Sequence, residues 1–194
     1  TAPSITTCAQ AQTVNASAEC QGEVPDVTAL VVTEDTCDSS LIITQSPPAG
    51  SMAPLGGSTI TITVADDAGN TSNCPVGLTV LDTTDPTFTA CALNQSAPAT
   101  LACGALVPDF SASAIAADNC DSSIVITQSP AADTAVTTGV TTVTLTATDD
   151  AGNTATCTAT FTVSDTTAPT FTSCASAQTV SAGAACTALI PSLT

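Results

Sequence analysis

From Ile60 to Val80 the chain alternates apolar and polar residues with a period of two on both sides of a turn-forming run. Ile60, Ile62 and Val64 are spaced by threonines, Asp66 to Asn70 interrupts, and Cys74, Val76, Leu78 and Val80 resume the alternation. This pattern predicts a β-hairpin with one face buried. The same phase returns in Val143, Leu145 and Ala147 before a second Asp-Asp-Ala-Gly-Asn run, and in Cys157, Ala159, Phe161 and Val163 after it. Cys74 and Cys157 share the parity of the apolar residues, so both are expected to point into a core.

Upstream of the first hairpin, the pattern predicts an edge strand near 4–14, a second strand near 24–32, a third at 41–45 and short strands around 51–55. Helix-period apolar spacing is absent, and Thr, Val, Ile and Ser dominate, as in β structure. About seven short strands in some 80 residues predict an immunoglobulin-like β-sandwich, with a closed barrel as the alternative. The Trp that packs the core of antibody domains is missing, because the chain has no Trp.

The whole pattern recurs at a constant interval of 83 residues. Cys8, Cys20, Cys37 and Cys74 return as Cys91, Cys103, Cys120 and Cys157, and Cys174 and Cys186 open a third copy. Fixed-period self-similarity marks an array of one small unit. The expected domains are an all-β module at 1–83, a second at 84–166, and the first strands of an incomplete third at 167–194. A chain that starts at the head of one copy and stops inside another is expected to be a segment of a longer secreted protein. Two strands alone do not bury a stable core, so either the segment simply stops short of the rest of that module, the favoured reading, or a neighbouring chain completes the third sheet by strand addition.

Ten cysteines at regular spacing in units of this size predict disulfides formed outside the cytoplasm: Cys8, Cys20, Cys37, Cys74, Cys91, Cys103, Cys120, Cys157, Cys174 and Cys186. Zinc is disfavoured, since there is no Cys-x2-Cys pair and no His. Four cysteines per module allow three pairings. Cys20 and Cys37 bracket one predicted strand end to end, and its extended length at about 3.3 Å per residue excludes that bond. The preferred pairing is Cys8 with Cys20 and Cys37 with Cys74.

Charge narrows the function classes. There are 17 acidic residues and no Lys, Arg or His. Nucleic acid and anionic membranes are both bound through basic side chains, so neither is an expected partner. No apolar run of about 18 residues is present, so no membrane insertion is expected. An enzyme is disfavoured as well: without His or Lys, acid–base chemistry would need paired carboxylates. The adjacent pairs Asp66-Asp67 and Asp149-Asp150 would point to opposite faces of a strand. No catalytic residue is assigned. Sugar-stacking Trp and Tyr are absent, and Phe88, Phe110, Phe161 and Phe171 read as core or joint residues. Asn15-Ala16-Ser17, Asn70-Thr71-Ser72 and Asn94-Gln95-Ser96 fit the N-glycosylation pattern, a match common in Ser/Thr-rich chains.

The carboxylates cluster at the loop around Cys37 and Cys120, at the hairpin turn, and at the junction between copies. In a sandwich of this topology the first two lie where the preceding module arrives. Asp82 and Asp85 are therefore expected to meet Asp118, Asp121, Asp149 and Asp150, a candidate Ca2+ site at the module junction. The competing reading is that these are solvated turn residues.

The head motif Asp82-Thr83-Thr84-Asp85-Pro86-Thr87-Phe88, the triplet Asp118-Asn119-Cys120 and the turn Asp149-Asp150-Ala151-Gly152-Asn153-Thr154 together resemble the hyalin repeat, or HYR, module. The first copy departs from it, with Asp35-Thr36-Cys37 in place of Asp-Asn-Cys. The resemblance implies an immunoglobulin-like fold, an extracellular or cell-surface location and an adhesive role, as in the tandem stalks of giant bacterial surface adhesins, including those of gliding bacteria. The favoured function is a stiff stalk or filament segment in cell adhesion, contacting neighbouring repeats of the same chain or identical chains. The alternatives are a fibre subunit assembled by strand exchange, and a receptor module for a surface ligand. The short Pro-containing joint favours extension.

Overall fold

The computed structural model describes residues 1–100, 102–189 and 192. The chain folds into two all-β, immunoglobulin-like sandwiches in tandem. Module 1 contains β1 (Ser4–Thr7), β2 (Gln12–Asn15), β3 (Gln21–Glu23), β4 (Val32–Glu34), β5 (Ile42–Ser46), β6 (Met52–Pro54), β7 (Gly56–Ala65) and β8 (Thr71–Leu81). Module 2 repeats them as β9 (Thr87–Ala90), β10 (Gln95–Pro98), β11 (Gly104–Leu106), β12 (Ile115–Ala117), β13 (Val125–Ser129), β14 (Ala135–Thr137), β15 (Gly139–Thr148) and β16 (Thr154–Ser164).

The β7–β8 hairpin is the spine, as its period-two pattern predicts. Ile60, Ile62, Val64, Cys74, Val76, Leu78 and Val80 all face inward and are buried. Asp66 closes the turn by accepting the Asn70 N–H at Oδ1 and the Asn70 amide at Oδ2, both at 2.7 Å. Gly69 completes it at φ +84°, a conformation that side chains with a Cβ rarely adopt. One sheet has the order β2-β8-β7-β5, and the β1–β4 and β3–β6 ladders lie across the core from it. The layers remain open, which rules out the closed barrel.

The two cores share a plan and differ in volume. Val27 and Leu78 of module 1 correspond to Phe110 and Phe161, whose rings meet edge to face with centroids 6.5 Å apart. Ile60, Val64 and Val76 shrink to Val143, Ala147 and Ala159. The extra aromatic volume is offset by the lost methyl groups, which is how a close-packed interior accepts such a change. Phe88 packs against this second core, whereas Phe171 is 90% exposed, contrary to its expected core or joint role.

Several expected strands are corrected. The edge strand at 4–14 breaks in two: β1 pairs antiparallel with β4, and β2 crosses to the other sheet to run parallel with β8. The strand at 24–32 does not form. Asp26 Oδ1 accepts the Thr28 N–H and hydroxyl, starting a 3-10 turn at Thr28–Leu30 between β3 and β4. The backbone leaves the extended conformation before this turn, at Val27 (φ −111°, ψ 3°), so Val24 and Val27, three residues apart, both enter the core. Gln45 ties the same segment down by accepting the Val27 N–H and donating to the Pro25 and Pro47 carbonyls. Gln128 does this in module 2 for Phe110, Pro108 and Pro130.

The described residues from 167 onward carry no strand. In both complete modules the first two strands pair with segments from later in the same module, and the third copy within these 194 residues does not reach those segments.

The preferred disulfide pairing is also corrected. Cys8 bonds to Cys74, and Cys91 to Cys157. Cys8 lies in the segment that crosses from β1 to β2, and its bond to Cys74 has the same offset of 66 residues as the Gln12–Leu78 pair that follows it. Cys20 and Cys37 do not bond to each other, although the single strand expected to hold them apart does not form, and neither finds another partner within its own module. Cys37, Cys103, Cys174 and Cys186 are exposed free thiols in this structure.

Candidate functional site

Each module has two chemically different ends. At the entry end the Asp35–Asp38 loop lies against the Thr1 hydroxyl and the β7–β8 turn: Asp35 Oδ1 accepts the Cys37 and Asp38 N–H groups, and Asp38 Oδ2 accepts the Asp67 N–H at 2.7 Å. At the exit end, β2 finishes beside the last residue of β8, with the Ala16 N–H donating to the Leu81 carbonyl at 2.8 Å. A tight turn follows, in which the Cys20 N–H donates to the Ser17 carbonyl and Cys20 itself adopts φ 60°. Cys20 and Cys37 of one module therefore sit at opposite ends of it.

The joint is built where the exit end of module 1 meets the entry end of module 2. Cys20 is disulfide-bonded to Cys120, with their Cα atoms 5.2 Å apart. Beside that bond the Asn119 carboxamide donates to the Ala18 carbonyl at 3.3 Å and to the Ser17 carbonyl at 3.5 Å, and the Asn119 carbonyl oxygen lies 2.9 Å from Cys20 Sγ. Asn153, in the β15–β16 turn, donates to the Asp82 carbonyl at 3.4 Å. Pro86 is buried at the start of module 2. Asn119 and Asn153 both belong to sequence motifs of the repeat, and here both reach back to the preceding module.

The acidic residues expected at this joint divide into groups. Asp82 and Asp118 come together, each offering a carboxylate oxygen within 4.8 Å of the other and of Cys120 Sγ. That sulfur is committed to the disulfide, so the two carboxylates are the anionic part of the group. Asp118 Oδ1 accepts the Cys120 and Asp121 N–H groups, while Asp118 Oδ2 is buried without a hydrogen-bond partner. Asp121 is occupied with the Ser123 and Asp150 N–H groups, and Asp149 with Asn153. Asp85 and Asp150 are exposed and lie outside the group.

Two of the turn carboxylates are electrostatically distinct. The Asn70 carboxamide donating to Asp66 holds its carboxyl below the ordinary aspartate value, helped by neighbouring backbone N–H groups and opposed by burial. For Asp149 burial is the largest influence and pushes upward, but the Asn153 side chain and three backbone N–H groups together outweigh it, so this carboxyl is lowered too.

The HYR domain family model matches residues 1–80 and again 81–163. No curated protein matches the sequence. Solved structures of similar shape include Drosophila N-cadherin EC1-4, at 13% identity and TM-score 0.44 over 85% of this chain and 50% of that one. Mouse cadherin-23 EC22-24 matches at 15% identity and TM-score 0.45 over 84% of this chain and 66% of that one. The fibronectin(III)-like modules of Clostridium thermocellum CbhA match at 12% identity and TM-score 0.32, over 84% and 94%. The chain thus spans about half the length of the N-cadherin structure.

Proposed function

The chain belongs to the HYR domain family, and on that premise we propose that it is a non-enzymatic, extracellular repeat segment that transmits load in adhesion as a stiff stalk. The observation that carries this reading is the joint: a disulfide from Cys20 to Cys120, with Asn119 and Asn153 bonded back to the preceding module. A flexible linker leaves neighbouring domains free to swing, whereas a joint crossed by the main chain and a second covalent bond restrains rotation. No helix among the described residues is long and apolar enough to cross a membrane. An extracellular setting agrees with the three disulfides. Small-angle scattering tests the stalk: a single extended inter-module geometry is expected, and a broad distribution would remove the reading.

Calcium at the joint is the second part of the proposal. Among the candidates Asp82, Asp85, Asp118, Asp121, Asp149 and Asp150, the approach of Asp82 to Asp118 and the buried, unpartnered Oδ2 of Asp118 support Asp82 and Asp118 as ligands. Ca2+ takes 6–8 oxygens, so carbonyls and water would supply most of the shell. Calorimetry with calcium and with chelator decides it. A raised melting temperature in calcium is expected; an unchanged one removes calcium and leaves the disulfide joint standing.

A further inference from the structure

The exit end of module 2 repeats the half-joint that module 1 presents to module 2. The Cys103 N–H donates to the Thr100 carbonyl at 2.9 Å, as Cys20 does to Ser17 at 3.0 Å, and Cys103 adopts φ 57° where Cys20 adopts 60°. Its thiol opens on a cavity lined by Thr100, Asp165, Thr167 and Pro169. One period earlier, these positions are Ser17, Asp82, Thr84 and Pro86, of which Ser17 and Asp82 lie beside the Asn119-Cys120 loop. The entry end of module 1 likewise repeats the other half. Asp35 Oδ1 accepts the Cys37 N–H at 2.8 Å, as Asp118 does for Cys120 at 2.7 Å, and Asp38 holds Asp67 as Asp121 holds Asp150, at 2.7 Å in both. Cys37 and Cys103 are exposed thiols.

We propose that Cys37 and Cys103 are the two open halves of this joint, each taken by the complementary cysteine of a further copy of the module, so that a disulfide runs from each module to the next. Each module then has one internal bridge, of the Cys8–Cys74 kind, and one external bridge at each end. The assignment is independent of the adhesive reading, because it rests on the repeated chemistry of the module ends. The cavity beside Cys103 accepts a loop with an Asp two residues before its cysteine, and the head of this chain carries one: Asp35-Thr36-Cys37. Thr36 lacks the carboxamide of Asn119, so this copy of the joint keeps the disulfide and loses the hydrogen bonds to the two carbonyls.

The bond forms by thiol–disulfide exchange with a small-molecule disulfide such as oxidised glutathione. The Cys103 thiolate attacks one sulfur of the oxidant and releases one glutathione thiolate. The incoming cysteine thiolate then displaces the second glutathione and forms the S–S bond. The two protein thiols lose two electrons and two protons, and the oxidant leaves as two reduced glutathiones.

The test uses the full chain with Cys174→Ser and Cys186→Ser, which silences the two remaining thiols. In a glutathione redox buffer, a Cys37→Ser variant and a Cys103→Ser variant are each expected to remain monomeric on non-reducing gels. Their mixture is expected to give a dimer that reductant dissolves and in which mass spectrometry finds Cys37 joined to Cys103. A second protein duplicates residues 84–166 after Thr166. Its Cys103 is expected to bond to the duplicated copy of Cys120 within the same chain. A bond in the mixture assigns the further copy to a second chain, and a bond only in the lengthened protein assigns it to the same chain. The Cys20–Cys120 peptide pair is the internal control. Three results would overturn the proposal: Cys103 remaining alkylatable in both arms, either single variant dimerising with itself, or the control bond failing to form.

Discussion

Cys20 and Cys120 are separated by 100 residues of sequence and by 5.2 Å between Cα atoms. The first lies in a left-handed turn at the exit of module 1, and the second in the Asp-Asn-Cys loop at the entry of module 2. Together with the linker, their bond makes a joint with two covalent crossings.

Cutting the second crossing should loosen the joint without unfolding either module, since each keeps its own internal bridge. In Cys120→Ser, spin-label distances between the modules are expected to broaden while the unfolding midpoints stay close to wild type. Asn119→Ala should broaden them less, because it removes hydrogen bonds and leaves the disulfide.

The internal bridge contributes differently. Cys8–Cys74 closes a loop with a sequence separation of 66, for which the chain-entropy model gives about 4 kcal/mol. The double variant Cys8→Ser/Cys74→Ser is expected to destabilise module 1 by that order. In a urea titration module 1 then melts well before module 2, which keeps Cys91–Cys157 and serves as the reference.

Gly22 offers a packing test. A Cβ built there would lie 2.6 Å from a Val14 methyl and 2.9 Å from both methyls of Val80. Module 2 has Ala105 at the matching position and Ala97 in place of Val14. Gly22→Ala is expected to cost about 1–3 kcal/mol. Adding Val14→Ala should recover part of that loss, giving a favourable coupling in a double-mutant cycle. Additive effects would show that the two sites do not share space.

Acid should weaken both modules through their turns. The Asp66 and Asp149 carboxyls are held below the ordinary value of 3.8 in the fold. Their stabilisation is therefore complete above that value and is lost as pH falls through the lower folded value. Stability measured by denaturant is expected to fall below about pH 4. Asp66→Asn should flatten the acid limb of module 1 and lower its plateau at neutral pH.

Much of this architecture was legible from local pattern. A residue on one strand of a hairpin sees its neighbours through period and phase alone, so β7, β8, their turn and the inward-facing Cys74 follow from alternation. The head of the module was less legible. Ser4 to Asn15 reads as one strand because its backbone is nearly continuous, yet Cys8 and Ala9 carry it from one sheet to the other. The segment after Cys20 also reads as extended, although Asp26 turns it into a 3-10 turn and Gln45 anchors it from another strand. Contacts to Gln45 across 18 and 20 residues leave no periodic trace.

The candidate site divides in the same way. The expected sandwich topology placed the Asp-rich loops at the end of the module that receives its predecessor, and of the six aspartates expected there Asp82 and Asp118 come together. It did not reveal that Asn119 and Asn153 would be the groups reaching back, since their donors are directed by loop geometry.

What the amino-acid sequence determined by itself was the repeat, the all-β character, the core face of the hairpin and the absence of any basic chemistry, because each is a property of composition or short-range order. Tertiary structure decided the disulfide partners. Elimination among four cysteines assumes that all of them pair inside one module, whereas the crossing from β1 to β2 brings Cys8 to Cys74 and leaves Cys20 and Cys37 at opposite ends. A bond is chosen by distance in space, and distance in space depends on how one folded unit stacks on the next.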